Sequence, residues 1–547
     1  AQIIKAICKK IIAEGTIQGN KPEEKIIRFE KAISSADKNI QPMLKVILAK
    51  WYFHYFNRNR YKFMRRSTTS ANADLKDFQT WDLPRLFGHI GKLYDSVLEN
   101  EEELSKIPIS KFDGFLLDGN QPTDLRSNLF EFFVHEALSF YGNNDHSTIK
   151  PQTAFEIDAD SKVFASAEEF INWKPETLDS DSCNFKALKL YQRLLALNKA
   201  TNNENALIYN DIERLNWAKK VALGPDKNEK YIEAMKRIAR DFPNNEYTAT
   251  AMYHVANNLY EQNEFVKAVD YAEKAYEKWP KSDGGKRAFN LINKIKAPSI
   301  SYCTESILTS NTSKIKVSFR NLKHAYFRLI KRTEADILNN ISTSGNAFDR
   351  PEVYRLLQQS PNYAFDVELD PESDYQTHYK LVDLPKLEKG FYWLIASANE
   401  TFKEDNNAIN IAAIQISDLS LISRNTSNTG KNQIFVVDSV TGKPIEDAEV
   451  KVYYYNYQTR KLTQLSSATS NKSGLLEIPQ KNERMMFFCK YKEDMVYTDE
   501  SWYSYNNGDR TTEQRVYFFT DRSIYRPGQT VYFKAIAVKY NQETNDY

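Results

Sequence analysis

The sequence predicts an α+β multidomain protein, in which a helical amino-terminal half is followed by immunoglobulin-like β-sandwiches. Apolar residues recur at helical spacing through the first half, and after Ala297-Pro298 they alternate as in half-buried strands. With 547 residues, the chain is too long for one hydrophobic core. It is also rich in aromatic residues that favour strands, with 33 Tyr and 31 Phe.

Residues 1–184 are predicted to form a helical domain. The segments Lys25–Ala36, Pro42–Phe56 and Leu83–Leu98 place apolar residues three and four positions apart, with few β-branched runs. Residues Leu125–Tyr141 show one apolar stripe and a polar back, as expected for a helix that packs on one face.

Residues 185–297 carry a repeat. The stretches Tyr231–Ala234 and Phe265–Ala268 begin 34 residues apart (265 − 231), which is the tetratricopeptide period. Phe185–Leu197 is similar to a degenerate earlier copy, so two or three stacked helical hairpins are predicted. Such tetratricopeptide-like hairpins serve either to hold a partner or to pack between domains of their own chain, and both roles remain open.

Residues 298–422 are predicted to form a first antiparallel sandwich. Ile315, Val317 and Phe319 alternate with polar residues, and the fuller apolar runs Phe391–Ile395 and Ile409–Ile416 are typical of interior strands. The segment 350–359 is predicted to be a short helical insertion between strands.

A polar linker, 423–432, precedes a predicted second sandwich at 430–512. Its turns are Thr441–Pro444 and Asn471–Gly474, and Ala448–Tyr455 between them alternates as a strand does. A third sandwich is predicted to begin at 513–547, where strand, turn and strand follow one another.

The most specific motif lies in this last segment. Its turn is made by proline, which presets φ, and by glycine, which accepts the positive φ of a type II turn. The motif residues are Thr520, Asp521, Arg522, Tyr525, Arg526, Pro527, Gly528 and Gln529. Followed by Val531 and Phe533, this string resembles the opening of a macroglobulin domain in the α2-macroglobulin family.

The resemblance covers about 298–547, and the second sandwich is also similar to transthyretin-like and macroglobulin domains. Helices that lead into such sandwiches resemble the large bacterial members of the family. The resemblance implies an amino-terminal fragment of a broad-spectrum endopeptidase inhibitor, which traps proteases by conformational change after a bait segment is cut. In this interpretation the eight motif residues are a structural signature and not a catalytic site.

The same resemblance implies the partners and the location. Proteases would be bound by the full-length parent, and the parent would be exported to the periplasm or cell envelope. A lipid anchor outside this chain would tether it to a membrane. The chain begins at Ala1 without methionine and without a basic and apolar leader, so an export signal is expected to have been removed or left out. Because no run of about 20 apolar residues occurs, no segment is expected to span a bilayer.

Cysteine chemistry is predicted to be absent from this part of the family architecture. Cys8, Cys183, Cys303 and Cys489 lie far apart, and none begins the Cys-x-Glu-Gln motif that forms the family's thioester. No Cys-x-x-Cys pair occurs, which argues against zinc and redox sites. Buried free thiols are expected, with one long-range disulfide as the alternative.

Other motifs give no support for an enzyme, a cofactor or a metal. His135-Glu136 begins like a zincin helix, but Ser139 stands where the second histidine would be needed. The sequence contains no Gly-x-Ser-x-Gly, Walker or Gly-x-Gly-x-x-Gly motif. The basic aromatic stretch 58–66 could grip nucleic acid, but the net charge is only +2, so a solvated helix end with inward aromatic side chains is expected instead.

A second hypothesis of a different class remains. Tetratricopeptide-like hairpins joined to immunoglobulin-like domains also suit a cell-surface adaptor that binds a peptide, a glycan or a receptor.

Overall fold

The chain forms two compact units, residues 1–295 and 296–547. A computed structural model provides the coordinates. The residues it describes are 1–17, 19, 21–65, 77–116, 123–142, 154–305, 307–310, 314–344, 350–370, 372–426, 431–459, 461–479, 484–498, 502–503, 514–522, 524–525 and 529–539.

The first unit is helical. Its helices are α1 Gln2–Ile17, α2 Pro22–Ser34, α3 Gln41–Arg58, α4 Arg60–Met64, α5 Leu83–Leu98, α6 Glu101–Ser105, α7 Leu129–Tyr141, α8 Ala167–Ile171, α9 Cys183–Ala200, α10 Glu204–Val221, α11 Lys227–Asp241, α12 Thr248–Glu261, α13 Phe265–Lys278 and α14 Asp283–Lys296. Two short strands, β1 Ile157–Asp158 and β2 Ala222–Leu223, pair in parallel.

Local sequence explains where several of these helices begin. The Asp82 carboxylate accepts the backbone N–H of Arg85 at 3.0 Å and caps α5. Asn128 caps α7 in the same way, and Ser166 and Glu169 form a reciprocal capping box on α8. Such caps satisfy N–H groups that have no partner within the helix.

Consecutive helices pack together at the end of the first unit, with α12 between α11 and α13. Gly284, in the first turn of α14, lies against the backbone of α12, where a Cβ atom would come within 2.3 Å of the Thr250 nitrogen. A larger residue at this position would push the two helices apart. Gly284 and Gly285 therefore belong to the helix itself and not to a loop before it.

In the part of the second unit that the structure describes, strands are interrupted by two helical insertions. The strands are β3 Ser299–Cys303, β4 Ile307–Leu308, β5 Lys314–Arg320, β6 His324–Arg332, β7 Tyr363–Glu368, β8 His378–Asp383, β9 Gly390–Ser397, β10 Ile409–Ile416, β11 Leu419–Thr426, β12 Lys431–Asp438, β13 Glu449–Asn456, β14 Lys461–Thr469, β15 Leu475–Pro479, β16 Arg484–Tyr491, β17 Asp494–Tyr497, β18 Trp502–Tyr503, β19 Gln514–Thr520 and β20 Phe533–Lys539. The helices are α15 Glu334–Ser344 and α16 Arg350–Gln358, of which only α16 was predicted.

Within the described residues, the first sandwich pairs the sheet β4-β10-β9-β6-β7 with the sheet β3-β5-β8. Its core contains Val317 and Phe319 of β5, Phe327 of β6 and Leu394 of β9. The alternation read from the sequence of β5 is present, since Ile315, Val317 and Phe319 are buried.

The second sandwich pairs the sheet β11-β12-β15 with the sheet β14-β13-β16-β17, and β18 adds to β16. Strand β11 pairs with β12 from Leu419↔Asp438 to Thr426↔Lys431. It therefore belongs to the second sandwich, although the sequence boundaries placed residues up to 422 in the first and 423–432 in a linker. The change of sheet occurs at Ser417 and Asp418, between β10 and β11. Together the helical first unit and the β-sheets of the second confirm the predicted fold class.

Candidate functional site

The signature motif forms a turn at the end of the β19–β20 hairpin. The Asp521 carboxylate accepts the Tyr525 hydroxyl and, at 3.1 Å, the backbone N–H of Tyr532 on the returning chain. The Tyr525 hydroxyl in turn accepts the backbone N–H of Arg522 at 3.0 Å. The Thr520 hydroxyl donates to the Arg522 carbonyl at 2.7 Å.

Four of the eight predicted motif residues are thus brought together, namely Thr520, Asp521, Arg522 and Tyr525. Gln529 is exposed, and Arg526, Pro527 and Gly528 lie outside the described residues. The contacts tie a turn to the strand that follows it, which is a structural task. Nothing in this arrangement positions a nucleophile or a general base.

The hairpin itself exposes apolar side chains on both faces. Phe518 is 65% exposed, Tyr532 70% and Phe533 64%. Among the described residues, β19 and β20 pair only with each other. A two-stranded hairpin is marginal alone in water, so these faces are suited to being covered by further structure.

A second candidate site of the second unit lies at the junction between its two sandwiches. Strand β9 is buried on both faces because Tyr392, Leu394 and Ala396 face the first core, while Phe391 and Trp393 face outwards to the junction. The opposing surface comes from the outer face of the second sandwich. Its members are Tyr453, Met486, Phe488 and Tyr497.

Aromatic rings form the centre of this junction. Phe391 of β9 lies edge-on to Tyr497 of β17, with ring centroids 5.1 Å apart, and Phe488 of β16 stacks on Tyr497 at 5.2 Å. Edge and offset contacts of this kind stabilise aromatic pairs beyond the burial of area. The continuous apolar run of β9 indicated an interior strand from the sequence, but not that its second face meets another domain.

A polar cluster lies beside the rings. Lys389, just before β9, places its ammonium 2.7 Å from Asp418 Oδ2 and 2.6 Å from Asp494 Oδ2. Asp494 also accepts the Ser417 hydroxyl at 2.7 Å and the Asp418 backbone N–H at 3.0 Å. Ser310 donates its backbone N–H and hydroxyl to Asp418.

The charges of this cluster support one another. Burial opposes ionisation of Asp418, but hydrogen bonds from Lys389 and Ser310 outweigh it, so the pKa of Asp418 lies below its usual value. Burial likewise opposes the charge of Lys389, and its two carboxylate partners outweigh burial and raise its pKa. Both pKa shifts favour the charged forms of Lys389 and Asp418.

Two further contacts cross the junction. Gln415 of β10 pairs its side-chain amide with the backbone of Tyr497, accepting its N–H at 2.8 Å and donating to its carbonyl at 2.9 Å. Glu334 of α15 accepts Lys451 at 3.3 Å and the Tyr453 hydroxyl at 3.0 Å. The helix that the sequence did not predict thus joins the first sandwich to the second.

The other sequence candidates lie apart from this junction. His135 lies within α7, where burial, reinforced by the charge of Arg126, lowers its pKa to about 3. In the described residues, one cluster of side chains could hold a metal ion. It consists of Glu372, Asp374 and His378, whose ligand atoms lie within 4.8 Å of one another. His378 Nε2 and Asp374 Oδ1 already form a 2.9 Å pair on this partly exposed loop, and such groups are common without an ion.

The cysteines are free thiols, and only Cys489 is buried while Cys303 is exposed. The thiols are free, as expected. The expectation that all of them are buried is wrong, because Cys303 is exposed at the end of β3. In the basic stretch, Phe63 points inwards and is 2% exposed, whereas Tyr61 is 66% exposed beneath the Arg65 guanidinium at 4.0 Å. The aromatic side chains of this helix end are therefore divided between core and solvent.

Comparison with known proteins gives the following results. No family model matches the chain. A curated relative, the alpha-2-macroglobulin of Pasteurella multocida (strain Pm70), is 24% identical over 269 residues, covering 42% of this chain. The chain spans only 14% of the length of that relative.

Solved structures of bacterial alpha-2-macroglobulins are also similar. Native Escherichia coli alpha-2-macroglobulin spanning domains NIE-MG1 is 16% identical, with a TM-score of 0.31 over 37% of this chain and 97% of that chain. A Salmonella alpha-2-macroglobulin mutant is 15% identical, with a TM-score of 0.28 over 44% of this chain and 15% of that chain. The curated sequence match, like the motif at 520–529, therefore shows similarity to the alpha-2-macroglobulin family.

Proposed function

We propose that this chain is the amino-terminal scaffold of a bacterial alpha-2-macroglobulin-like protein that inhibits a broad range of endopeptidases by trapping them. The junction between the two sandwiches carries the proposal, because one strand, β9, contributes to the core of its own sandwich and to the contact with the next. An element shared in this way transmits displacement between domains instead of absorbing it.

The scaffold role also fits the chemistry that the chain offers. The sequence holds no Cys-x-Glu-Gln motif, so a thioester cannot form within these residues. The charge cluster around Lys389 is engaged in contacts between the two sandwiches. The chain is thus proposed to be no enzyme and to act on proteases only as part of a longer protein.

The proposed partners are endopeptidases, and the proposed location is the periplasm or the cell envelope, with a lipid anchor outside this chain as the means of tethering. In the described part of the chain, no helix combines the length and the apolar character needed to cross a membrane. Neither nucleic acid nor a cofactor is part of the proposal.

The test uses a longer protein that carries this chain, incubated with a broad-specificity protease and separated on a denaturing gel. Cleavage in one internal region, with a high-mass adduct that methylamine pretreatment abolishes, would support a covalent trap. Cleavage in one region without the adduct would support a non-covalent trap. Diffuse cleavage would contradict trapping, as would resistance without inhibition.

The 547-residue chain provides the matched control. Mixed with trypsin in equimolar amount, it is expected to leave the hydrolysis of a protein substrate unchanged, because its sequence lacks the Cys-x-Glu-Gln motif that forms a thioester. Stoichiometric inhibition of trypsin by this chain alone would contradict the scaffold role.

One observation favours the adaptor hypothesis instead. An open groove of about 480 Å³ lies in the helical unit, where Met252, Lys274 and Trp279 are among its lining residues. Saturable binding of a peptide or glycan by the chain, lost on Trp279→Ala, would support an adaptor. A flat titration would leave the scaffold proposal as the better account.

A further inference from the structure

We propose that Lys389 is the central cation of an electrostatic latch, which holds the two sandwiches of the second unit as one rigid body. The latch consists of Lys389, Asp418 and Asp494. This inference does not depend on protease trapping, because it concerns only how two domains of this chain are joined.

The three members come from three different places in the topology. Lys389 precedes β9 of the first sandwich, Asp418 lies at the change of sheet between β10 and β11, and Asp494 begins β17 of the second sandwich. The ammonium contacts both carboxylates at once, at 2.7 and 2.6 Å. A single cation thus fixes the crossing chain and the second sandwich relative to the first.

Burial makes this contact stronger than an ordinary surface ion pair. The Asp494 side chain is 7% exposed, and the Asp418 and Lys389 side chains are 26% and 36% exposed. Ion pairs of exposed side chains contribute little, whereas removing one partner from a buried pair leaves a charge that water cannot reach. Without Lys389, two carboxylates would face each other across the junction.

Further hydrogen bonds hold the two carboxylates in position to contact the Lys389 ammonium. Asp494 accepts from Ser417 and from the Asp418 backbone, and Asp418 accepts from Ser310. The chain that crosses between the sandwiches is therefore bonded on both sides of Lys389. A hinge at residues 417–418 would have to break these bonds together with both ion pairs.

The experiment measures the distance between the sandwiches. Cys303, exposed on the first sandwich, serves as one spin-label site, and Tyr457→Cys, at a position 60% exposed on the second, serves as the other. Cys8→Ser and Cys183→Ser remove the partly exposed thiols of the helical unit. Pulsed electron spin resonance on the full 547-residue chain then gives the distance distribution.

The latch predicts a single narrow distribution in this background and a broadened or two-component distribution in Lys389→Met. Lys331→Met is the matched control. Lys331 pairs with Glu388 at 2.7 Å within the first sandwich, and Glu388 directly precedes Lys389 in the sequence. This control is expected to leave the distribution narrow. Equal distributions in Lys389→Met and Lys331→Met would overturn the proposal.

A second variant keeps the test decisive if Lys389→Met does not fold. Asp494→Asn retains an oxygen that can accept from Ser417, but it removes the charge that Lys389 contacts. Broadening in this variant, with unchanged circular dichroism, supports the latch. A distribution as narrow as that of the parent overturns it.

Discussion

Arg214 and Asp211 form a buried ion pair inside the helical unit, with Arg214 Nη2 2.6 Å from Asp211 Oδ1. The arginine is fully buried, and its guanidinium also donates to the Val163 carbonyl at 2.6 Å and to the Ala165 carbonyl at 3.0 Å. A face of the guanidinium covers the Phe170 ring at 4.5 Å. One side chain on α10 thus fastens the irregular segment before α8 to the helical core.

We expect Arg214→Met to lower the free energy of unfolding of the helical unit by about 3–5 kcal/mol. The substitution leaves Asp211 charged and buried without its partner and two carbonyl groups without their donor. Urea unfolding followed by circular dichroism at 222 nm measures the change. Adding Asp211→Leu should recover part of the loss, since a neutral pair of similar volume avoids the stranded charge.

Lys274→Met is the control for this prediction. Lys274 pairs with Asp270 at 2.6 Å, but both side chains are more than half exposed, so the loss should be no more than about 1 kcal/mol. An Arg214→Met loss as small as that of the control would show that the buried pair is not a major support of this unit.

His135 gives the helical unit a pH dependence of definite sign. Its folded pKa of about 3 lies below the ordinary value near 6.5, because burial disfavours the charged ring. Between these values the unfolded chain binds a proton that the folded chain does not. The contribution of His135 is therefore complete above about pH 6.5 and is lost as the pH falls towards 3.

We expect His135→Gln to reduce the slope of the unfolding free energy against pH between about 6 and 4. One proton contributes at most about 1.4 kcal/mol per pH unit. The slope should not vanish, because His254 in the same unit also has a pKa lowered by burial, to about 4. Urea titrations at three pH values measure it.

His324→Gln serves as the comparison, since His324 is exposed at the start of β6 in the other unit. The slope for the helical unit should be the same in this variant as in the parent. If His135→Gln leaves the slope equally unchanged, His135 already binds its proton in the folded state.

Sequence patterns predicted the parts of the fold that local periodicity controls. The apolar run of β9 and the alternation of β5 follow directly from side chains that face a core. Strand β11 was divided between the first sandwich and a linker because its second half is polar and exposed, as at Ser423 and Arg424. Only its register with β12 shows that it belongs to the second sandwich.

The junction could not be predicted from the sequence for a related reason. Lys389, Asp418 and Asp494 are spread over more than a hundred positions and follow no period. Their meeting depends on how two sheets pack, which is a tertiary property. Helix α15 was missed as well, since its segment contains β-branched and polar residues that also suit a loop.

Substitutions of Phe487 and Phe488 can distinguish the stability of the sandwich core from that of the junction. They are neighbours on β16 and therefore point to opposite faces, so Phe487 lies in the second core and Phe488 in the junction. Both are nearly inaccessible to solvent. Each truncation to alanine should cost about 3–5 kcal/mol, but in different places.

We expect Phe487→Ala to lower the stability of the second sandwich itself. Phe488→Ala should instead separate the unfolding of the two sandwiches into two transitions, while the amides of β13 remain protected. Hydrogen exchange measured by mass spectrometry distinguishes these outcomes. Identical exchange patterns in the two variants would contradict the assignment of Phe488 to a contact between domains.

Two substitutions of Asp521 can distinguish the role of its hydrogen bonds from the role of its charge in the signature turn. Its carboxylate accepts the backbone N–H of Tyr532 and the Tyr525 hydroxyl, so only its oxygen atoms, and not its charge, are needed for the contact with the strand. Asp521→Asn keeps an oxygen acceptor of the same shape, whereas Asp521→Ala removes it. We therefore expect the Tyr532 amide to exchange faster with solvent in the alanine variant and at nearly the parental rate in the asparagine variant. Amide exchange followed by NMR measures both rates. Equal acceleration in the two variants would mean that the charge of Asp521, through its 3.6 Å contact with Arg522, maintains the turn in place of the hydrogen bond to Tyr532.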